Sequence, residues 1–373
     1  MEAIFGNILN LQWQQVVMWA IGGLLIWLAI AKDMEPTLLL PMGFGAILVN
    51  LPMSGAVTQI HEGLEEIGVI DLLFNSGIAN ELFPLLLFIG IGAMIDFTPL
   101  LTNPKLMLFG AAAQFGIFFT LSMAALMGFE IKDAASIAII GAADGPTSIF
   151  VANFLQSNYL GAIIVAAYSY MALVPIVQPP VIRALTTPYE RSIRMDTKNV
   201  KVSRTTKILF PVFVMIITGL IAPRSVALIG FLMFGNLLRE CGVLNSLSDT
   251  AQKVLANLIT LLLGLSVSGK MTAEAFLNPQ TLLILCLGLI AFIFDTAGGV
   301  IFAKVLNLFS KKKINPMIGA AGISAFPMSA RVIHKMGLQE DSSNFLLMHA
   351  IGVNVSGQIA SVIAGGLILN FFA

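Results

Sequence analysis

The chain has 373 residues, of which 57% are hydrophobic and 11% are charged, and its mean hydropathy is +0.92. Soluble domains carry about 25% charged residues, so this composition excludes a soluble protein and indicates an integral membrane protein. The formal net charge is zero, so no basic excess points to a nucleic-acid partner.

Apolar segments long enough to cross a bilayer, or nearly so, recur along the whole chain when compared with the roughly 20 residues that a crossing needs. They lie at 16–31, 36–51, 82–97, 106–128, 134–155, 159–178, 206–222, 225–240, 252–268, 281–307, 315–333 and 345–372. Several are short or interrupted by Gly, Pro or polar residues, which is typical of transporters. We therefore expect an all-α polytopic membrane protein with about 10–12 transmembrane segments. Residues 55–80 mix acidic and apolar positions and are expected to be amphipathic or re-entrant.

One segment of the chain is strongly basic. Residues 183–207 carry a run of cations: Arg183, Arg191, Arg194, Lys198, Lys201, Arg204 and Lys207. Cytoplasmic loops are enriched in Lys and Arg, so we expect a solvated cytoplasmic linker here, with a docking surface for a soluble partner as the alternative. The linker separates a first transmembrane repeat with a leading helix, 1–182, from a second repeat, 208–373.

Three sequence echoes relate the two halves. IGAADGPTSIFVA at 140–152 aligns with IGAAGISAFPMSA at 318–330, the segments ending at Pro104 and Pro279 align, and residues 38–50 are echoed by 228–240. Echoes in the same order at similar offsets indicate a duplicated unit of about five spans. Transporters built from such repeats bind their ligand near the bilayer midplane on broken helices. We expect inverted repeats whose broken helices cross near the membrane midplane.

Asp144 interrupts an apolar segment of the first repeat. A carboxylate at this depth costs several kcal/mol unless it is paired, hydrated or bound to a cation, so we expect a functional role. The equivalent break in the second repeat offers neutral oxygens from Asn315, Ser324 and the main chain beside Gly319. One carboxylate among neutral oxygens suits a monovalent ion such as sodium better than a divalent one.

Three further polar residues flank the two breaks. Tyr170 and Asn354 lie in the spans that follow them, and Arg331 lies just beyond the second break. Tyrosine in a span is commonly an interfacial anchor, but the place of Tyr170 directly after the Asp144 segment favours a role in the site. For Arg331, snorkelling to an interface and bidentate binding of a carboxylate ligand both remain open.

Other polar residues give weaker signals. Gln178 precedes Pro179 and is a candidate helix-end cap. Asp295 is a second intramembrane acid, either an ion ligand or a partner of Lys304 on the same helix. The histidines and cysteines show no metal-ligand spacing, so no transition-metal site is predicted.

Four long motifs resemble one known family. GAADGPTSIFVA, AAYSYMALVPIVQPP, KKINPMIGAAGISAFPMSARV and GVNVSGQIASVIAGG look like the beta subunit of the sodium-pumping biotin-dependent decarboxylases, which include the oxaloacetate, methylmalonyl-CoA and glutaconyl-CoA enzymes. The resemblance covers nearly the whole chain. The chain is short for the oxaloacetate branch, which favours the acyl-CoA branches.

The resemblance implies a subunit of the bacterial inner membrane that decarboxylates carboxybiotin, consumes a proton from outside and exports sodium ions. It implies a soluble carboxyltransferase alpha subunit, a biotin carrier subunit and a small membrane-anchored subunit as partners, and it is compatible with a homo-oligomer. The matching residues are Asp144, Tyr170, Asn315, Gly319, Ser324, Arg331 and Asn354.

Roles for these residues are hypotheses at this point. We expect Asp144, Tyr170 and Arg331 to be catalytic, with Arg331 receiving the carboxylate of carboxybiotin. We expect sodium to bind at Asp144, Asn315, Gly319, Ser324 and Asn354.

Two other classes of protein remain open. The first is a stand-alone sodium/proton or organic-anion secondary transporter with the same repeat fold, which would not co-purify with a biotinylated protein. The second is a purely structural membrane anchor, which would leave Asp144 without a reason to lie in the bilayer.

Overall fold

A computed structural model describes residues 11–61, 64–195 and 201–372. Four parts of the sequence predictions lie outside this part of the chain: residues 1–10 of the first repeat, residues 62–63 of the amphipathic segment, residues 196–200 of the basic linker, which include Lys198, and residue 373 of the second repeat.

The first half of the described chain is built almost entirely of helices. They are α1 (Trp13–Lys32), α2 (Pro36–Val49), α3 (Val69–Leu73), α4 (Leu82–Met94), α5 (Thr98–Thr102), α6 (Met107–Ala113), α7 (Phe115–Leu126), α8 (Ile131–Ala138), α9 (Gly145–Phe154), α10 (Leu160–Leu185) and α11 (Pro188–Arg191). A π-helical turn, Phe74–Ile78, extends α3, and 3-10 turns occupy Pro104–Leu106 and Ile139–Ala142. The predicted amphipathic segment also contains a two-stranded antiparallel sheet of β1 (Gln59–His61) and β2 (Leu64–Glu66), in which Gln59 pairs with Glu66.

In the described residues, the second half is built of helices and helical turns. Its helices are α12 (Arg204–Ile221), α13 (Val226–Glu240), α14 (Asn245–Asp249), α15 (Ala256–Ser268), α16 (Ala273–Phe276), α17 (Pro279–Phe309), α18 (Met328–Glu340) and α19 (Leu347–Phe372). A π-helical turn, Thr250–Leu255, links α14 to α15, and 3-10 turns occupy Pro223–Ser225 and Pro316–Gly322. Each half therefore contains a π-helical turn and a broken segment, while an internal repeat stays a prediction.

The Asn-Pro echo marks the start of corresponding helices. Pro104 begins the 3-10 turn that leads into α6, and Pro279 is the first residue of α17. The side chain of Asn278 accepts the N–H of Gln280 at 2.9 Å, which caps α17. Proline is favourable at a first helical position because no N–H is needed there.

Each broken segment returns to the side of the membrane from which it starts. In the first broken hairpin, α8 to α9, Asp133 near its start accepts hydrogen bonds from Ser157 Oγ at 2.7 Å and from the N–H of Asn158 at 2.9 Å, just past its end. In the second broken hairpin, residues 315–340, both ends bind one residue. Arg191 accepts a bond from the Asn315 amide at 2.7 Å and donates from Nε to Glu340 at 2.6 Å.

The two broken hairpins enter from opposite ends of α10. The partners of Asp133 lie immediately before Leu160, where α10 begins, whereas Arg191 follows Leu185, where α10 ends. A helix of 26 residues is about 39 Å long, which exceeds the roughly 30 Å thickness of the hydrocarbon core. The hairpin bases therefore lie at opposite membrane faces and the tips meet between them. Inverted repeats produce this arrangement, while a two-fold relation of the halves stays a prediction.

Seven helical segments of the described chain are long and apolar enough to span a membrane, and an eighth is added if the segment Val69–Ile78 and α4, bent by 63°, count as one span. This makes the chain a multi-pass membrane protein. The predicted number was higher, because the segments at 134–155 and 315–333 form re-entrant hairpins and because α2 and α13 have only 14 and 15 residues. Hydropathy measures apolar length and does not distinguish a hairpin from a crossing.

The basic segment is more structured than predicted. Arg183 belongs to α10 and Arg204 begins α12. Arg191 is only 9% exposed, and its Nη1 donates to the carbonyl of Thr186 at 2.7 Å, so the expectation of a fully solvated linker is wrong at this residue. Arg191 instead fastens the base of the second broken hairpin.

Candidate functional site

Asp144 lies at the tip of the first broken hairpin, where the helix stops and restarts. Ala143 has a left-handed φ of 51°, which a non-glycine residue adopts only when its surroundings hold it there. Asp144 then caps α9, its Oδ1 accepting the N–H of Thr147 at 3.3 Å. Pro146 in the first turn of α9 needs no N–H partner. The tip is buried, and Asp144 is 3% exposed.

The tip of the second broken hairpin reaches Asp144 through Ser324. Helical structure ends at Gly322 and resumes at Met328. The N–H of Ser324 donates to the carbonyl of Ala142 at 2.9 Å, and its Oγ donates to Asp144 Oδ2 at 2.9 Å. The two breaks therefore lie against each other, as their sequence equivalence predicts.

Three hydroxyl groups surround one oxygen of Asp144. Oδ2 lies 2.8 Å from Thr147 Oγ1, 2.9 Å from Ser324 Oγ and 2.8 Å from Ser361 Oγ of α19. The two serine hydroxyls are 2.9 Å from each other. We call these four oxygen atoms the oxygen cluster. It joins both hairpin tips to α19.

The electrostatics of the cluster suit a small cation. Within the described residues, Asp144 forms no ion pair, and no three His, Cys, Asp or Glu side chains converge on a metal-binding point. A single carboxylate therefore lies among neutral hydroxyls in a region shielded from water. Each hydroxyl can rotate to present a lone pair instead of its proton, and hard cations prefer such all-oxygen ligands.

One face of α19 carries the polar residues that hold the second tip. Asn354, Gln358 and Ser361 are spaced by four and three residues, which places them on the same side of a helix. The Asn354 amide donates to the carbonyl of Ile323 at 2.7 Å, and the Gln358 amide donates to that of Ser324. In the described part of the chain, Asn354 Oδ1 and Gln358 Oε1 are buried without a hydrogen-bond partner. They are further acceptors beside the tip.

The tyrosine beside Asp144 is Tyr168, which was not predicted from the sequence. Its ring packs on Gly145, where a Cβ atom would come within 2.4 Å of the ring carbon that carries the hydroxyl. Its hydroxyl is buried and has no hydrogen-bond partner among the described residues. Tyr170 points elsewhere, since residues two apart do not share a helix face, and its hydroxyl donates to the carbonyl of Leu285. Two sequence signals favour Tyr168. Gly145, which follows Asp144, leaves room for a ring, and the helical period places Tyr168 and Tyr170 on different faces of α10.

Asn315 and Gly319 support the second broken hairpin away from the carboxylate of Asp144. The Asn315 amide donates to the carbonyls of Arg191 and Ile193 at 2.7 and 3.0 Å, at the base of the hairpin. Gly319 lies directly against α17, where a Cβ atom would be 2.0 Å from the carbonyl oxygen of Gly299. The structure thus brings Ser324 to Asp144 directly and Asn354 to the same tip, but neither Asn315 nor Gly319 to the carboxylate.

Arg331 is accessible from outside the protein, unlike Asp144. It lies in the first turn of α18, and its side chain is exposed. Its charge acts on Glu35, in the turn between α1 and α2: burial raises the pKa of Glu35, and the nearby guanidinium opposes that rise.

Asp295 and Gln178 bind main-chain groups. Asp295 Oδ1 accepts the N–H of Ile117 at 3.2 Å, at the start of α7. It does not pair with Lys304, whose Nζ lies 3.2 Å from Glu190 Oε1. Gln178 lies within α10 rather than at its end, and its amide donates to a carbonyl of the second broken hairpin at 2.8 Å.

Comparison with known proteins identifies similar chains over nearly the full length. Residues 14–372 match the model of a family described as the Na+-transporting oxaloacetate decarboxylase beta subunit. The chain is 45% identical to a probable oxaloacetate decarboxylase beta chain of Vibrio cholerae, over 98% of this chain and 97% of the relative. It is 48% identical to the methylmalonyl-CoA decarboxylase subunit beta of Propionigenium modestum (96% and 94%). Identity to the glutaconyl-CoA decarboxylase subunit beta of Acidaminococcus fermentans is 49% (96% and 93%).

The lengths of these alignments differ. The alignment with the Vibrio chain spans 420 positions, which exceeds the 373 residues of this chain, so this chain lacks segments that the relative has. The alignment with the Propionigenium chain spans 375 positions. The length of this chain is therefore closer to that of the methylmalonyl-CoA relative than to that of the Vibrio chain.

Proposed function

The chain belongs to the family of beta subunits of sodium-transporting decarboxylases, and on this premise we propose that it decarboxylates carboxybiotin and couples the reaction to sodium export. The same cycle consumes a proton from the outer side of the membrane. The observation that carries the proposal is the oxygen cluster, in which Asp144 Oδ2 is within 2.9 Å of three hydroxyls where the two hairpin tips meet.

Sodium and a proton are proposed to alternate at Asp144. An uncompensated carboxylate is costly at this depth, so one of the two cations occupies the site at each stage. A bound cation favours the ionised carboxylate, which releases the proton toward the reaction centre. When sodium leaves outward, a proton from outside takes its place. One site thereby couples both ions.

Alternating access is proposed to arise at the contact between the tips. The broken hairpins enter from opposite faces and close the cluster together, through the bond from Ser324 N–H to the Ala142 carbonyl. If one tip separated from the other, the cluster would become accessible from one face of the membrane. The hairpin that stays in place would still block access from the opposite face. Broken backbone is tolerated at this depth because it is buried in protein or lines such a path.

The decarboxylation step requires one proton and an anion receptor. Loss of CO2 breaks the bond between the ureido nitrogen of biotin and the carboxylate carbon, and the electron pair stays on the nitrogen, which then takes up a proton. We assign Arg331, the exposed guanidinium in the first turn of α18, as receptor for the carboxylate. The phenol of Tyr168 lies beside Asp144 and is well placed to relay the proton. The role proposed for Tyr170 requires its hydroxyl to leave the Leu285 carbonyl.

A beta subunit works within a larger complex. The partners proposed from the family resemblance are a soluble carboxyltransferase alpha subunit, a biotin carrier subunit and a small membrane-anchored subunit. Carboxybiotin is then a substrate delivered by the carrier. A homo-oligomer of this chain is a further proposal.

The proposal is tested with the complex purified from its native membrane and reconstituted in proteoliposomes. Asp144→Asn is expected to abolish sodium-dependent decarboxylation and sodium uptake together. The matched control is Asp249→Asn, which changes an exposed acid on α14 and should retain both activities. Detection of a biotinylated partner with avidin shows that each variant still assembles.

Two results contradict the proposal. An assembled Asp144→Asn complex that retains sodium-dependent decarboxylation would remove Asp144 from the centre of the scheme. A pure, sodium-transporting chain without any biotinylated partner would instead support the stand-alone transporter.

A further inference from the structure

A cavity of about 690 Å³ lies where the end of α17 meets the segment that follows α10. Its polar lining comes from both sides: Thr187, Tyr189, Glu190, Lys304, Asn307 and Lys313. The volume is in the range of small-molecule binding sites, roughly 300–1,000 Å³. None of these residues takes part in the oxygen cluster.

The length of α17 places this cavity at the membrane surface. A helix of 31 residues is about 46 Å long, whereas the hydrocarbon core is roughly 30 Å thick. The last turns of α17 therefore extend into the headgroup region. The basic residues that follow, 311–313, and those of the linker indicate the cytoplasmic leaflet.

An apolar stripe leads from the cavity along the outer face of α17. Ile301, Val305 and Leu308 line the cavity and are spaced by four and three residues, so they share one helix face. Their side chains are 48%, 43% and 78% exposed. A hydrocarbon chain lying on this stripe would run from the headgroup level toward the bilayer core.

The charge of the cavity is positive. Glu190 is its one acidic lining residue, and Lys304 lies 3.2 Å from it. Lys313 donates to the carbonyl of Asn307 and forms no ion pair within the described residues. Lysine at the headgroup level attracts anionic lipids, by about 1 kcal/mol for each cation near an anionic membrane surface.

We propose that this cavity binds an anionic phospholipid of the cytoplasmic leaflet. The phosphate lies beside Lys313, with the Tyr189 hydroxyl as a further donor, and one acyl chain lies on the stripe of Ile301, Val305 and Leu308. A soluble anion would use the lysine but not the stripe, and an apolar ligand would use the stripe but not the lysine.

Such a lipid would stabilise the base of the second broken hairpin. The cavity is lined by Thr187, Glu190 and Ile193, and this same stretch holds the hairpin through Arg191 and through the bond from Asn315 to the Ile193 carbonyl. A headgroup that bridges this stretch to α17 would fix the hairpin base against the membrane surface.

The test uses the full-length chain in mild detergent, titrated with dioleoyl phosphatidylglycerol or dioleoyl phosphatidylcholine while thermal unfolding is followed. Phosphatidylglycerol is expected to raise the unfolding midpoint with saturation, and phosphatidylcholine is not. Lys313→Gln should weaken the apparent affinity for phosphatidylglycerol by about fivefold. The matched control is Lys253→Gln. It removes an exposed lysine that does not line the cavity and should change that affinity by less than about twofold.

A second variant tests the acyl half of the site. Leu308→Gln leaves every charge in place and, because its side chain is exposed, should fold normally, but it is expected to weaken the lipid response. Equal responses to both lipids, or an unchanged response in Lys313→Gln, would overturn the proposal. Reproduction of the shift by inorganic phosphate alone would also overturn it, because the occupant would then be a free anion.

Discussion

Replacing Ser361 by alanine removes one hydroxyl from the oxygen cluster and leaves Asp144 in place. Ser361 is fully buried, with its Oγ 2.8 Å from Asp144 Oδ2 and 2.9 Å from Ser324 Oγ, so water has little access to replace it. A buried hydrogen bond to a charged group contributes about 1.5–3 kcal/mol of free energy, and we use this range for the contact of one hydroxyl with a cation. If Ser361 is a sodium ligand, Ser361→Ala should therefore weaken apparent sodium affinity by roughly 10- to 150-fold.

The assay is a sodium titration of decarboxylation by the reconstituted complex, paired with a sodium titration of thermal stability that needs no turnover. The control is Ser356→Ala, which also removes a buried hydroxyl from α19. That hydroxyl donates to the Val353 carbonyl within the same helix at 2.6 Å, so its loss should alter sodium affinity by less than about twofold. The reasoning is refuted if Ser361→Ala keeps the wild-type sodium dependence, or if both serine variants lose affinity equally.

Three further predictions concern the relay and the second broken hairpin. Tyr168→Phe should lower CO2 release at saturating sodium by about 100-fold or more, whereas a rate near wild type would exclude it as the relay. Gly319→Ala forces a Cβ atom against main chain and should lower the free energy of unfolding, measured by thermal unfolding, by about 3 kcal/mol. The control Gly23→Ala, with open space around it, should be neutral or stabilising, and equal effects of the two variants would contradict the packing argument. Arg191→Ala should lower the free energy of unfolding by about 3 kcal/mol, because it leaves Glu340 without its partner. Arg194→Ala, whose side chain is 64% exposed, should lower it by less than about 1 kcal/mol. Similar losses for both variants in thermal unfolding would refute the distinction.

Polar interruptions in apolar sequence predicted the two breaks that the structure brings together. Asp144 and Ser324 were placed opposite each other from the echo between the halves, and their side chains are 2.9 Å apart. The membrane class and the family followed from composition and from long motifs. These features are local, so a sequence displays them without knowledge of packing.

The contacts of several residues could not be predicted, because their partners are distant in sequence. Ser361 enters the cluster only because α19 packs against both tips. Tyr168 rather than Tyr170 faces Asp144 because of the rotation of α10, which packing sets. Arg191 looked like part of a solvated basic run, yet Glu340, 149 residues away, draws it into the base of the second broken hairpin.

The sequence by itself determined that this chain is a multi-pass membrane protein with one carboxylate in the broken segment of its first half. Hydropathy and an isolated intramembrane acid are properties of the chain alone. Tertiary structure alone decided that the broken segments are re-entrant hairpins rather than crossings, and which hydroxyls complete the oxygen cluster. The physical reason is that a hairpin and a span bury the same apolar length, whereas hydrogen bonds at the hairpin bases and tips depend on which distant helices lie beside them.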